Sequence, residues 1–343
     1  DTRNHWATRS FFGRLNYNYK EKYLLELNGR SDGSSRFSPG HQWGTFPSLS
    51  LGYNIAKENF LKHSANVNLL KFRFSYGFLG NQSGAGLYSY TQLMNIINPG
   101  ASGTGTVWFF ENGRESNLLK PQPYNPYITW EKVESENIGL DFGFLQNRLS
   151  GSFDVYQRTT KDMLGPTQDL ADMYGGTAPR SNNANLRTRG FELSLNWNNT
   201  IGNNISYNVF ASLSNNKSVV TKYQNKSNAN PAESWYVGKE VGELWGYSAS
   251  GLIQTQEEAD DYNKLDLSFL TGVQWKPGDV KFVDLNGDGK INNGENRLGE
   301  MGDMKIIGNA SPKYAYSFGG SFTYKGLSLY MMFQGIGKMD YSP

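Results

Sequence analysis

Apolar and polar residues alternate with a period of two through most of this chain. In residues 70–78 one face is Leu70, Phe72, Phe74, Tyr76 and Phe78, and the other is Lys71, Arg73, Ser75 and Gly77. Residues 138–144 set Ile138, Leu140, Phe142 and Phe144 against Gly139, Asp141 and Gly143. Residues 191–198 set Phe191, Leu193, Leu195 and Trp197 against Glu192, Ser194, Asn196 and Asn198. Segments 205–213, 314–324 and 327–333 repeat the pattern. A strand turns successive side chains to opposite faces, so this period predicts half-covered β-strands. Ten are expected, from 11–19 to 327–334, each with one apolar face and one small, polar or charged face.

The connections between these strands alternate in length. Short links fall at 20–22, 146–147, 200–203 and 325–326, with a moderate one at 57–68. Long links fall at 31–47, 79–130, 161–184 and 218–311. Antiparallel barrels of the bacterial outer membrane pair short turns on one side with long loops on the other. Expected strand lengths of about 9–11 residues suit a tilted bilayer crossing. Aromatics gather at the ends of the apolar faces, as with Tyr17, Tyr19, Trp197, Tyr314 and Tyr324, which fits an interfacial girdle. A soluble sandwich or propeller also alternates, but has no reason to keep the loop parity. The expected fold is therefore all-β: an antiparallel transmembrane β-barrel with long extracellular loops.

Composition narrows the chemistry. The 343 residues contain no cysteine, which removes thiol catalysis, disulfides and thiolate-bound metal. The three histidines, His5, His41 and His63, are scattered in polar contexts and read as solvated. A net charge of +2 and the lack of basic runs speak against nucleic acid. No run approaches the ~18 apolar residues of a transmembrane helix. Neither a nucleophile elbow, a phosphate loop nor a zinc-protease motif is present. Acidic pairs such as Glu134/Glu136 and Asp260/Asp261 read as solvated, so no enzyme is expected. Loop aromatics Trp43, Trp108, Phe109, Phe110 and Trp235 could stack on sugar rings or pack on neighbouring loops. Residues 254–264 carry helix formers with acids near the start and predict a short surface helix.

One segment has metal-ligand spacing. Asp284, Asn286, Asp288, Lys290, Asn292 and Glu295 occupy every ligand position of a twelve-residue calcium loop, with Gly289 at the sharp turn. Alternate side-chain oxygens would wrap a hard cation, Lys290 would offer its carbonyl, and Glu295 would close the site. Ile291 is expected to pack behind the loop. The flanking residues are not helical in pattern, so the ion would stiffen a loop rather than drive a sensor. The alternative is an Asp/Asn/Gly-rich turn without an ion. By loop parity the motif lies on the extracellular side.

Several segments carry a resemblance. Residues 23–53, 70–82, 130–149, 154–164, 185–195, 277–289 and 307–334 resemble, in order, the SusC/RagA family of TonB-dependent outer-membrane transporters. The resemblance implies a roughly 22-stranded barrel with an N-terminal plug and TonB box, in the outer membrane of a Gram-negative bacterium. Residues 1–343 would be part of that single barrel domain, an interior piece whose plug and closing strands lie elsewhere. The implied function is import of oligosaccharides or peptides. Implied partners are a SusD-like surface lipoprotein, the TonB complex and outer-membrane lipid. The calcium-type loop falls inside a resembling segment. A soluble or surface-attached carbohydrate-binding or adhesive β-protein with a structural calcium stays open as the other reading.

Overall fold

The computed structural model describes the chain apart from residues 1–3, 93–95, 98–108, 111–112, 115–116, 119–120, 122, 168–169, 172, 174–177, 203, 226–228, 271–273 and 342–343. Ten antiparallel strands form one sheet, hydrogen-bonded in the order of the sequence. They are β1 (Thr8–Tyr19), β2 (Tyr23–Ser34), β3 (Trp43–Asn54), β4 (Val67–Asn81) and β5 (Glu131–Phe144). They continue as β6 (Leu149–Gly165), β7 (Ser181–Ile201), β8 (Ile205–Lys222), β9 (Lys313–Tyr324) and β10 (Leu327–Lys338). A meander of this kind puts every odd connection at one end of the sheet and every even one at the other. The short and long links therefore segregate as their alternation predicts.

Register fixes the two faces. Phe72, Leu140, Phe153, Leu193, Leu213 and Tyr316 form one unbroken cross-strand row. One step nearer the short turns, Leu70, Phe142, Gly151, Leu195, Ala211, Phe318 and Phe333 form the next. Phe72, Phe153, Phe318 and Phe333 in these rows are exposed. A water-soluble protein rarely leaves so large an apolar surface uncovered. As the outside of a barrel this face meets lipid instead. The opposite face carries a row of Lys71, Asp141, Ser152, Ser194, Ser212, Ser317 and Gln334, which water can fill.

Aromatics mark the short-turn margin of the apolar band. Tyr19, Tyr23 and Tyr53 stack in sequence, the last two at 5.3 Å between ring centroids. Further along, Trp197 Nε1 donates to the Tyr207 hydroxyl at 3.3 Å. The strands run longer than expected, from 12 residues in β1 to 21 in β7. The added length lies mainly at the long-loop end. The long links accordingly shrink: the first, expected at 31–47, loses residues to β2 and β3, which reach Ser34 and begin at Trp43. Here the outer face of β5 to β8 loses its apolar residues and reads Glu136, Gln157, Arg189, Lys217, while the same row on β1 to β4 stays Leu15, Leu27, Leu49 and Tyr76. Apolar alternation marks only the stretch in lipid. Main-chain pairing continues past it because neighbouring strands still satisfy each N–H and C=O.

The long loops hold two small cores. Phe37, Phe46, Ala85, Ile128 and Trp130 pack together beside β3 and β4. Residues 243–309 form a separate unit on two ribbons, Glu243–Tyr247 with Met304–Asn309 and Ala249–Leu252 with Val280–Phe282. Its core is Ile253, Ala259, Tyr262, Leu267 and Ile291. The expected helix is present as α1, Gln256–Tyr262, with the Thr255 hydroxyl accepting from the Glu258 N–H at 3.2 Å.

Candidate functional site

The polar face is a wall of hydroxyls and amides crossed by a charged network on β4, β5 and β6. Arg73 on β4 donates from Nε to Asp141 Oδ1 of β5 at 3.0 Å and from Nη2 to Asp154 Oδ2 of β6 at 2.9 Å. Lys71 Nζ adds a longer contact to Asp141, 3.5 Å. The guanidinium spans the intervening strand because residue 139 is glycine. A β-carbon there would stand 2.5 Å from Asp154 Oδ1 and 2.7 Å from the Arg73 guanidinium carbon. The network fixes three strands to one another on the wet side.

Above it the same face opens into a cavity of about 1330 Å3. Arg14, Asn28, Arg30, Asp32, Ser48, Ser50, Ser75 and Ser135 line it, and Phe46 and Trp130 bound it on the loop side. Those two rings meet edge-on at 5.6 Å, and Phe37 packs on Trp130 at 5.3 Å. Trp130 Nε1 donates to the Gln42 carbonyl at 2.8 Å, and the Ser38 hydroxyl donates to the Pro126 carbonyl. The buried Glu131 carboxylate accepts from Asn81 Nδ2 at 2.7 Å and from the Leu164 N–H at 3.0 Å. Three separate long links are thereby tied at one end of the barrel wall. Sequence pattern alone missed this cluster, because Phe37, Phe46 and Trp130 sit where alternation has stopped. The available signal was a concentration of aromatics beside Gly44 and Gly80, both of which leave room for the Phe46 ring. Trp43, flagged as a loop aromatic, begins β3 and stacks on Phe11 at 5.9 Å. Trp235 lies 6.0 Å from Tyr223, while Trp108 falls outside the described residues.

The calcium-type loop lies in the 243–309 unit, at the long-loop end as parity predicts. Asp284 accepts from the Gly287 and Gly289 N–H groups at 2.6 and 2.9 Å. Asn286 Oδ1 accepts from the Asp288 N–H at 3.1 Å, and Asp288 Oδ1 from the Lys290 N–H at 2.9 Å. Asn286 Nδ2 also donates to Asp288 Oδ2 at 3.0 Å, so Asp284, Asn286 and Asp288 share one turn. Gly289, at φ 78°, supplies the left-handed step that the coil requires. Asn292 Oδ1 accepts from the Gly294 N–H at 2.6 Å, and Glu295 stands exposed. Among the described residues no three acidic or imidazole side chains gather into a metal-holding group. The donor set is oxygen only, which suits a hard divalent cation.

Ile291 is fully buried behind the loop, as its position predicts. Asp303, which no motif points to, is also fully buried. It accepts from the Leu285 N–H at 2.7 Å and the Asn292 N–H at 2.9 Å, clamping both limbs of the loop. The ends of residues 289–291 pair with Asp266 through two main-chain bonds of 2.9 and 3.0 Å. Nearby, the Gln254 N–H and the Lys281 ammonium hold the Glu258 carboxyl below its usual range.

Comparison with known proteins agrees with this architecture. The family described as TonB dependent receptor-like, beta-barrel matches residues 1–326. The TonB-dependent receptor SusC of Bacteroides thetaiotaomicron is 30% identical over 316 residues, which is 91% of this chain and 30% of that protein. TonB-dependent receptor P3 of Formosa agariphila is 29% identical over 337 residues, 95% of this chain and 31% of that one. The chain thus spans about a third of the length of the curated relatives it matches. Among solved structures, the RagAB peptide importer in its closed-closed state superposes with a TM-score of 0.70 at 24% identity. That superposition covers 96% of this chain and 33% of the other, and speaks for the fold. With its lipid-facing rows, its loop parity and this match, the chain belongs to the TonB-dependent receptor family of outer-membrane β-barrels.

Proposed function

We propose that this segment is part of the wall and outer mouth of an importer that carries oligosaccharides or peptides across the outer membrane. The observation that carries the reading is the cavity of about 1330 Å3 on the inner face, where Arg, Asp, Asn and Ser side chains mix with Phe12, Phe46 and Trp130, directly below tied extracellular loops. Hydroxyls, amides and paired charges in rows offer many weak, exchangeable hydrogen bonds. Such a surface lets a polar chain slide without holding it at one point. Energy would come from the TonB complex, and a SusD-like lipoprotein would deliver ligand at the loop end. Both substrate classes present repeated amide or hydroxyl groups to this wall. In the cell, deletion of the full-length gene should abolish uptake of one labelled class, oligosaccharide or peptide, and the protein should co-purify with a surface lipoprotein. Unchanged uptake of both classes would overturn the reading.

The loop at 284–295 is proposed to take a calcium ion. Asp284, Asn286, Asp288, the Lys290 carbonyl, Asn292 and Glu295 are the groups that would hold it. The ion would neutralise the Asp284 and Asp288 carboxylates on one turn together with Glu295, and stiffen the 243–309 unit. Adding millimolar calcium should slow amide exchange across residues 284–295 in the full-length protein, and Asp288→Ala should remove that protection. Equal exchange with and without calcium would overturn the assignment.

A further inference from the structure

The outer face of β6, β7 and β8 carries a second site, at the upper edge of the lipid-facing band. Arg189 of β7 lies directly opposite Lys217 of β8, and Arg187 is the next outward residue above. Like charges placed directly opposite destabilise an antiparallel pair. Local compensation is incomplete. Arg189 Nε donates to the neutral Gln157 amide oxygen at 2.6 Å. Among the described residues the carboxylate in contact is Glu240, shared between Lys217 at 2.7 Å and Lys313 at 2.8 Å. Glu136 lies a strand beyond Gln157 in the same row. Arg189 and Lys217 border a cavity of about 380 Å3 floored by Phe153, Val155 and Phe191, with Asn215 and Asn216 at its side.

We infer that this cavity seats an outer-leaflet lipid with phosphate on its headgroup. The apolar floor belongs to the band that faces acyl chains. The guanidinium and ammonium sit one register step higher, at the depth of headgroups. A guanidinium fork and a neighbouring ammonium match the several oxygens of one phosphate. A free anion would have no use for the aromatic floor, so the membrane is the source of the ligand. The inference rests on the outer-membrane placement of the barrel and is independent of what the barrel imports.

The test uses the full-length protein extracted from outer membranes in mild detergent, with retained phosphorylated lipid counted by native mass spectrometry. Heat-modifiable electrophoretic mobility reports folding in the same samples. Wild type should retain phosphorylated lipid, and each cation removed among Arg187→Gln, Arg189→Gln and Lys217→Gln should lower retention about fivefold. Arg189→Lys should restore most of what Arg189→Gln loses. Inorganic phosphate should not displace the lipid. Retention unchanged in the folded triple variant, or displacement by inorganic phosphate, would overturn the proposal. Should the triple variant not fold, the contrast between Arg189→Gln and Arg189→Lys decides alone, and equal retention by those two would overturn it.

Discussion

Asp154 Oδ1 is buried without a hydrogen-bond partner, pressed against the bare α-carbon of Gly139, while Oδ2 holds Arg73 at 2.9 Å. The two residues depend on each other. Any side chain at 139 must push the carboxylate or the guanidinium aside, breaking the charge-assisted bonds that join β4, β5 and β6. Gly139→Ala should therefore destabilise the barrel by about 1–3 kcal/mol. Arg73→Met should cost a similar amount, since it leaves Asp141 with only the longer contact from Lys71 and takes from Asp154 its bond to Arg73. Because both changes break the same network, the double variant should lose less than the sum of the two. Urea titration of the full-length protein in lipid vesicles measures all three. Additive losses would show that Gly139 serves only its own strand.

At the scale of elements, the 243–309 unit has its own core and its own clamps, so it should respond separately from the sheet. Asp303 holds two N–H groups from opposite limbs of the 284–295 loop. Asp303→Leu would leave both part-buried N–H groups unpartnered, at up to about 1–3 kcal/mol each. Amide exchange should rise across residues 284–303 and stay unchanged in β5 to β8. Acid should have a related effect at α1. Glu258 is held below the usual carboxylate range by the Gln254 N–H and the Lys281 ammonium. A depressed folded pKa contributes stability above about pH 4.5 that disappears as pH falls through the lower folded value. Exchange of residues 254–262 should therefore be slow at pH 6 and rise as pH falls below the ordinary carboxylate value of 4.5, and Glu258→Gln should flatten that dependence. Some of this was legible beforehand. The acidic start of residues 254–264 marked the helix, and the motif spacing marked Ile291 as its buried backing. Asp303 was not legible, because its partners lie 18 and 11 residues away and only the folded loop brings them together.

For the whole molecule, alternation along the chain gave the number of strands, their order and the side of each loop, since each is a local property. It did not give strand ends. Pairing above the lipid band is sustained by neighbours, so β7 continues through Ser181–Ile201 although its apolar alternation covers only the middle. Nor could it give the aromatic roof of Phe37, Phe46 and Trp130, which depends on contacts between distant loops. The two faces make opposite demands on the same substitution. Leu140 sits in the exposed apolar row between Phe72 and Phe153, while Ser152, on the strand beside it, faces the polar interior. Arginine at 140 places a charge in lipid and should cost about 2–4 kcal/mol if the residue lies near the bilayer midplane. Arginine at 152 enters a watery wall opposite Asp141 and should cost little. Full-length Leu140→Arg should therefore lose most of its heat-modifiable, folded form in outer membranes, and Ser152→Arg should keep it. Folded protein in equal amounts from both variants would mean that the apolar rows do not face lipid.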